Sequence, residues 1–510
     1  MNPLAKKIRE YAITHPGKPA IEGEHIQLDY RQLLNEIEAL SSTLGFPASS
    51  DTPDMPQTFA VIMDNHPAWA VLDLSLFFSH QCAIPLPEFF SLEQLKHALR
   101  DSTADFLILD DTELNQQLAA EIKDTIESQE SIIIAAKKFT LFRLRNNANR
   151  QAGNGIAKIT YTSGTTDHPK GVMLSEDTIM VKVAALAKAS EANADDRSLC
   201  ILPLSTLLEN IGGLYIPLYC GATIILLSPE TTGLSGSSQV DHEKLIGTIL
   251  KYKPTAFIII PQLLLLFIKL IQSGLKLPSS LRFIAMGGAP VSRQLLDRAQ
   301  QLEIPVYEGY GLSEAASVVA VNNPSQHRSG SVGKVLDSHE VKISDDGEVL
   351  VKKALFAGYQ GQQPVSSHEF YATGDIGKLD DDGYLYITGR KKNVINTSYG
   401  RNISPEWLEK ELETMPEIVQ GVIYGHAKPY LVAILVLRNN TEAAIIRLGE
   451  ALQSLNEQLP DYARIKDFIV SEVPFSVSNH LLTGTGRPRR LQIYKAFEAQ
   501  LEQLYEQQTV

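Results

Sequence analysis

The chain has 510 residues, enough for two or three folded units at roughly 100–200 residues each and for a large apolar core. Acidic residues outnumber basic ones, 59 to 46, and the net charge of −13 argues against a main role on nucleic acid or an anionic membrane. The three cysteines, Cys82, Cys200 and Cys220, are widely spaced and form no CxxC pair, so they read as inert thiols of a reducing compartment.

In chain order, MNPLAKKIREYAITHPGKP lacks the unbroken apolar run of a signal peptide and reads as an amphipathic helix, so a cytoplasmic location is expected. From 58 to 110 strands (FAVIM, CAIPL, FLILD) alternate with helices (PAWAVLDLSLFFSH, SLEQLKHALRDS), which predicts crossover units on a parallel sheet. Polar Gly/Ser/Asn-rich stretches at Arg143–Gly155 and Ser228–Asp241 read as loops. The alternation returns with IILL, a helix from His242 to Lys251, FIII, FIAMGG and a helix from Val291 to Gln301. The apolar run from Ala256 to Ile271 is broken by Pro261, Gln262 and Lys269 and falls short of the about 18 residues of a membrane span, so it reads as strand then helix. After residue 340, VKISDDGEVLVK and KLDDDGYLYITG carry Asp-Gly bends and predict a small β-rich subdomain. Beyond GRKKN a final stretch has its own helices (SPEWLEKELETM, and one closing helix through YKAFEAQLEQLYEQ) and strands (VQGVIYG, YLVAILVL). A domain boundary is expected there, giving units 1–389 and 390–510.

The sharpest motif follows the strand AKIT and runs Tyr161-Thr162-Ser163-Gly164-Thr165-Thr166-Asp167-His168-Pro169-Lys170-Gly171. Small hydroxyl and Gly residues let a polyphosphate approach the backbone N–H groups, and Lys170 supplies a cation. The lysine follows a proline and precedes Gly, so this is not the GxxxxGK[ST] arrangement. Gly287, Gly288 and Ala289 end a strand with small residues and leave a flat slot, against which Tyr310 offers an aromatic face for a purine.

SGTTxxPKG resembles the signature loop of the adenylate-forming (AMP-binding) superfamily, which contains acyl-CoA synthetases, nonribosomal adenylation domains and luciferases. LPLSTLLEN (202–210), MGGAP (286–290), GYGLSEAA (309–316), YATGD (371–375) and GRKKNVINTSYGRNISPEWLE (389–409) follow in the family's order. The resemblance implies an α/β fold with a large N-terminal domain of parallel-type α/β subdomains plus the β-rich subdomain, and a small mobile α+β C-terminal domain. It places Thr162, Ser163, Gly164, Thr165, Thr166, Glu308, Gly311 and Ser313 in the nucleotide site with the adenine slot, Ser313 at the α-phosphate. Lys170 and Glu314 become catalytic, Glu314 also as ligand of Mg²⁺, for which a hard carboxylate oxygen is suited. Asp375 resembles the acceptor of the ribose hydroxyls and Arg390 its basic partner; Lys392 resembles the hinge of the C-terminal domain, and Gly400 lines a pantetheine tunnel.

Two positions depart from the family's pattern. Asp167 stands where Gly is usual, and Arg487, after Leu481-Leu482-Thr483-Gly484-Thr485-Gly486, takes the register of the catalytic lysine. Arg keeps the charge but is planar and bulkier. In LPLSTLLE, Thr206 replaces a family His, and Leu207, Leu208, Ile211, Gly212 and Gly213 are expected to form an apolar acyl wall with room beside it. The implied reaction is ATP-dependent activation of a carboxylic acid, most simply a medium- or long-chain fatty acid, followed by transfer to coenzyme A. Loading of a separate acyl carrier protein, or a degenerate member that binds nucleotide or acyl-adenylate without turnover, are the alternatives.

Overall fold

The computed structural model describes residues 2–46, 56–145, 155–162, 169–235, 239–288, 291–366, 368–398, 401–483 and 486–507. A nine-stranded sheet runs in the order Lys334–Val335, Ser317–Val321, Val306–Leu312, Phe283–Met286, Ala256–Ile259, Arg197–Leu199, Thr223–Ile225, Pro19–Glu22, Gln27–Asp29. Its pairs are parallel from Val306–Leu312 to Pro19–Glu22 and antiparallel at both edges. An eight-stranded sheet runs Gly358–Tyr359, Lys170–Ser175, Ile156–Thr162, Cys82–Pro85, Thr58–Ile62, Phe106–Leu109, Lys137–Leu144, Ile126–Ile134, with four parallel strands at its centre.

Helix Pro67–Phe78 is apolar except for Asp73 and Ser75, and every residue from Pro67 to Phe77 is buried, as a helix with apolar residues on all sides requires. Pro67 occupies the first turn, and the His66 ring accepts the Ala68 N–H. Trp69, Val71 and Phe77 share one core with Ile21 and Ile224 of the first sheet and Phe59, Val61 and Val172 of the second, so the helix layer ties the sheets together. A buried polar cluster pins the same layer: Lys158 Nζ lies 2.7 Å from Asp73 Oδ1 and 2.6 Å from Asn210 Oδ1, and the Tyr215 hydroxyl donates to Asp73 Oδ2 at 2.6 Å. Lys158 sits on the strand that leads into the phosphate loop, and Asn210 and Tyr215 bound a π-helical turn, so this cluster sets one motif against the other.

A four-stranded antiparallel sheet follows, Glu340–Ile343, Glu348–Lys352, Tyr371–Leu379 and Leu385–Arg390. The last part of the chain builds on Ile418–Tyr424, Leu431–Leu437 and Ile465–Ser471. Leu431, Ala433 and Leu435 pack on Leu408, Leu412, Leu448 and Leu452, while Val432, Ile434 and Val436 pack on Ile493, Leu501 and Tyr505. Burial on both faces explains why YLVAILVL is apolar without alternation.

Several expectations need correction. Arg143 and Leu144 are not loop: they end strand Lys137–Leu144, in register with Phe106 and Ile126. The stretch Ser228–Asp241 holds a one-turn helix, Pro229–Thr232, capped by the Ser228 hydroxyl, and a short ladder of Leu234–Ser235 with Gln239–Val240. The helix expected from Val291 starts at Arg293, because the Ser292 side chain caps the Leu295 N–H. The closing helix is two, Arg490–Ala496 and Glu498–Gln507, separated at Phe497.

Candidate active site

The phosphate loop bridges antiparallel strands Ile156–Thr162 and Lys170–Ser175, and Thr162 faces Lys170 across the ladder. Ser163, Gly164, Thr165, Thr166 and Asp167 lie outside the described residues, as do Ala289 and Gly400. The Lys170 ammonium stands 5.3 Å from the centre of the Tyr359 ring. The hydroxyl of the same tyrosine donates to Glu314 Oε1 at 2.6 Å. Lys170 and Glu314, far apart in sequence, are thereby brought to the two sides of one side chain.

Asp375 and Arg390 are direct partners in the Tyr371–Leu379/Leu385–Arg390 hairpin, and Arg390 Nε lies 2.6 Å from Asp375 Oδ1. The Tyr310 hydroxyl donates to Asp375 Oδ2 at 2.6 Å. Asp375 is 3% exposed; burial raises its pKa, and Arg390, Tyr310 and Arg487 pull it back. Gly287 and Gly288 follow strand Phe283–Met286, beside the strand that carries Tyr310, and Gly288 has φ +83°, a conformation that favours glycine. Ser313 and Glu314 open a 3₁₀ turn at the end of that strand, just past the bulge at Tyr310/Gly311. Glu308 is buried opposite Met286; burial pushes its carboxyl up to about 7, against the pull of Lys410.

Arg487 reaches this face from the C-terminal part. Its Nη2 donates to the Gly288 carbonyl at 2.8 Å, and its backbone closes a turn on Thr483. Arg487 is exposed; partial desolvation at this contact and the nearby Arg390 charge lower its pKa, yet a guanidinium remains cationic at neutral pH. Gly288, Tyr310, Asp375, Arg390 and Arg487 are therefore joined by direct contacts, which brings one carboxylate, one phenol and two cations together at the end of the strand that carries Tyr310.

The donor set also bears on a metal. Among the described residues no group of three or more His, Cys, Asp or Glu side chains would hold an ion alone. Glu314 has Oε1 held by Tyr359, and no described residue hydrogen-bonds Oε2. A hard carboxylate oxygen with no hydrogen-bond partner among the described residues fits Mg²⁺, which is bound through one or two carboxylates plus substrate phosphates.

Lys392 is exposed in the turn Lys391–Asn393, between the hairpin and the C-terminal elements. Partial desolvation and the charges of Arg390 and Arg487 lower its pKa. Gly389 is required beside it: a β-carbon there would stand 1.6 Å from Ser404 Oγ. Sequence reasoning missed Glu348, which accepts the Gly374 N–H at 2.8 Å and Lys391 Nζ at 2.7 Å, fixing the turn before Asp375 and the approach to Lys392. It also missed Tyr359 and Tyr371; Tyr371 opens the YATGD motif, a signal that was available.

The acyl wall differs from expectation. Thr206 donates to the Pro203 carbonyl at 2.7 Å, and Leu207 is buried. The expected room beside Gly212 is filled, because a β-carbon there would meet Ile258 Cδ1 at 2.5 Å. Half-buried Leu208 instead lies beside Gly287, 3.7 Å from where a β-carbon on that glycine would stand. Glu209 is fully buried, neither oxygen makes a well-formed hydrogen bond, and burial pushes its carboxyl up to about 8.

Comparison with known proteins matches residues 8–360 to the family described as AMP-binding enzyme and residues 392–509 to AMP-binding enzyme C-terminal domain. Among curated relatives, the long-chain-fatty-acid–CoA ligase FadD15 of Mycobacterium bovis is 26% identical over 534 residues, covering 86% of each chain. The 2-succinylbenzoate–CoA ligase of Bacillus subtilis is 26% identical over 470 residues, covering 88% of this chain and 91% of the relative. Among solved structures, the o-succinylbenzoate CoA synthetase of Bacillus subtilis with its acyl-adenylate superposes with a TM-score of 0.74 at 23% identity, covering 96% and 97% of the two chains. An anthranilate CoA ligase with anthranoyl-AMP gives 0.77 at 19% identity, covering 97% and 96%. No helix among the described residues is long and apolar enough to cross a membrane.

Proposed function

The chain belongs to the AMP-binding enzyme family, and we propose that it is an AMP-forming acid–thiol ligase acting on a medium- or long-chain fatty acid and coenzyme A. A carboxylate oxygen attacks the α-phosphorus of ATP and pyrophosphate leaves; a thiolate sulfur then attacks the acyl carbon and AMP leaves. Arg487 carries the first step, since it is a cation set against the nucleotide slot, 2.8 Å from the Gly288 carbonyl and close to the Asp375–Arg390 pair. Asp375 accepts the ribose hydroxyls, Lys170 holds the outgoing phosphates, and Glu314 is the protein ligand for Mg²⁺. Bound Mg²⁺ supplies charge neutralisation of the phosphates. The working units are 1–389 and 390–510, which reorient about Lys392 between the two steps.

The fatty chain is favoured by the apolar border at Leu208 and by the named substrate of the mycobacterial relative. Carboxylate-dependent exchange of labelled pyrophosphate into ATP, screened from short to long fatty acids with 2-succinylbenzoate and anthranilate alongside, tests this reading. Exchange is expected with the longer fatty acids. Exchange with an aromatic acid alone would overturn the substrate class, and exchange with none would overturn the activity.

A further inference from the structure

Tyr359 is tied to both sides of the phosphate site. Its backbone pairs with Val172, and the Gln360 N–H donates to the Gly171 carbonyl at 2.8 Å, so it is docked on the strand that begins at Lys170. Its ring meets Phe356 edge-on at 5.0 Å, and Phe356 meets Tyr371 at 5.3 Å. The Phe356 N–H donates to the Glu314 carbonyl at 2.8 Å, which fixes the turn that bears the carboxylate. The Tyr359 hydroxyl donates to Glu314 Oε1 at 2.6 Å and lies 3.2 Å from the Tyr371 hydroxyl. The ring face carries the Lys170 ammonium at 5.3 Å.

Phenylalanine would pack against Phe356 as well as tyrosine does, and a hydroxyl costs desolvation wherever it does not find partners. Here both partners are polar groups of the site. A donor on Oε1 restricts the Glu314 rotamer, and Oε2, which no described residue hydrogen-bonds, is the oxygen offered to a cation, while the ring restrains a long, exposed lysine that otherwise loses much rotamer freedom on binding phosphate. We propose that Tyr359, backed by Tyr371, is a positioning residue that presets the Glu314 carboxylate for the divalent cation and the Lys170 ammonium for the phosphates. This rests on the reading of Glu314 as the metal ligand.

The hydroxyl and the ring make separable predictions, read by calorimetric titration of the parent and variants with α,β-methylene-ATP, with Mg²⁺ and with chelator. Tyr359→Phe should weaken Mg²⁺-dependent binding by about three- to tenfold, the scale of a lost hydrogen bond to a charged group that water partly replaces, and leave the metal-free affinity unchanged. Tyr359→Leu, which also removes the ring beneath Lys170, should weaken metal-free binding as well. Glu314→Gln should abolish the tightening by Mg²⁺. If Glu314→Gln loses that tightening but Tyr359→Phe keeps it, positioning by the hydroxyl is refuted while the role of Glu314 stands. If Glu314→Gln keeps it, the metal assignment is what fails. Equal weakening of both affinities in Tyr359→Phe refutes a positioning role in favour of general packing, and an unchanged metal-free affinity in Tyr359→Leu refutes the link to Lys170.

Discussion

Replacing Glu209 by Gln should flatten the pH dependence of stability of the N-terminal sheets. The side chain is 0% exposed, neither oxygen makes a well-formed hydrogen bond, and a β-carbon on Gly213 would stand 2.4 Å from Oε1, so no water fits beside it on that side. Burial raises its pKa from 4.5 to about 8, opposed only by the Cys200 thiol and the nearby backbone of Leu202 and Ile201. Below the unfolded value both states hold the proton, and the contribution to stability is fully present. As pH rises, the unfolded chain ionises first, and stability is lost at about 1.4 kcal/mol per pH unit until the folded group ionises too. Between about pH 5 and pH 7 this single group should remove roughly 2–3 kcal/mol. Gln has no proton to lose, so the slope due to this group disappears; the burial of its amide shifts the whole curve by a constant and leaves the slope alone. Urea midpoints followed by fluorescence, with Trp69 buried in the same core, give the measurement at several pH values. Parallel pH profiles for parent and variant would refute a buried, neutral Glu209.

Three further outcomes follow from the site. Lys170→Ala and Glu314→Ala should each remove about 2–4 kcal/mol of transition-state stabilisation from adenylate formation with the fold intact, read as pyrophosphate exchange, and near-parent exchange would contradict their placement at the phosphates. Asp375→Asn keeps the Tyr310 contact but loses the charge facing Arg390, so the KM for ATP should rise by the equivalent of about 1.5–3 kcal/mol at most; an unchanged KM would remove Asp375 from the ribose. Lys392→Pro fixes φ in the turn and should slow adenylation and thiol transfer unequally, whereas equal loss of both half-reactions would argue against a hinge.

The fold was legible where burial is uniform along an element. FAVIM, CAIPL and YLVAILVL are buried on both faces and therefore apolar throughout, and Pro67–Phe78 carries apolar residues on all sides, with only Asp73 and Ser75 polar, because it lies between sheets. The hairpin Ile126–Ile134/Lys137–Leu144 gave little signal, because residues 127–131 of its outer strand are exposed at the sheet edge. Helix Glu442–Gln458 was missed although Leu448, Leu452 and Leu455 line one face and Thr441 caps it. The candidate residues Lys170, Glu314, Asp375, Arg390 and Arg487 could be named from motifs, since each lies in a run of local sequence. Tyr359 and Glu348 act only through partners brought in by strand pairing, and nothing adjacent to either announces a role. Gly212 misled for the same reason: the residue that fills the space beside it, Ile258, comes from another strand.

The central claim is that Arg487 delivers the cation for adenylate formation, and it is tested most directly by measuring the two half-reactions of Arg487→Ala separately. Carboxylate-dependent pyrophosphate exchange should be lost, while transfer from a supplied acyl-adenylate to coenzyme A is retained; Arg487→Lys, with a compact point charge, should exchange at least as fast as the parent. Exchange by Arg487→Ala at the parent's rate would contradict the claim, leaving the contact between Arg487 and the Gly288 carbonyl without a part in the chemistry.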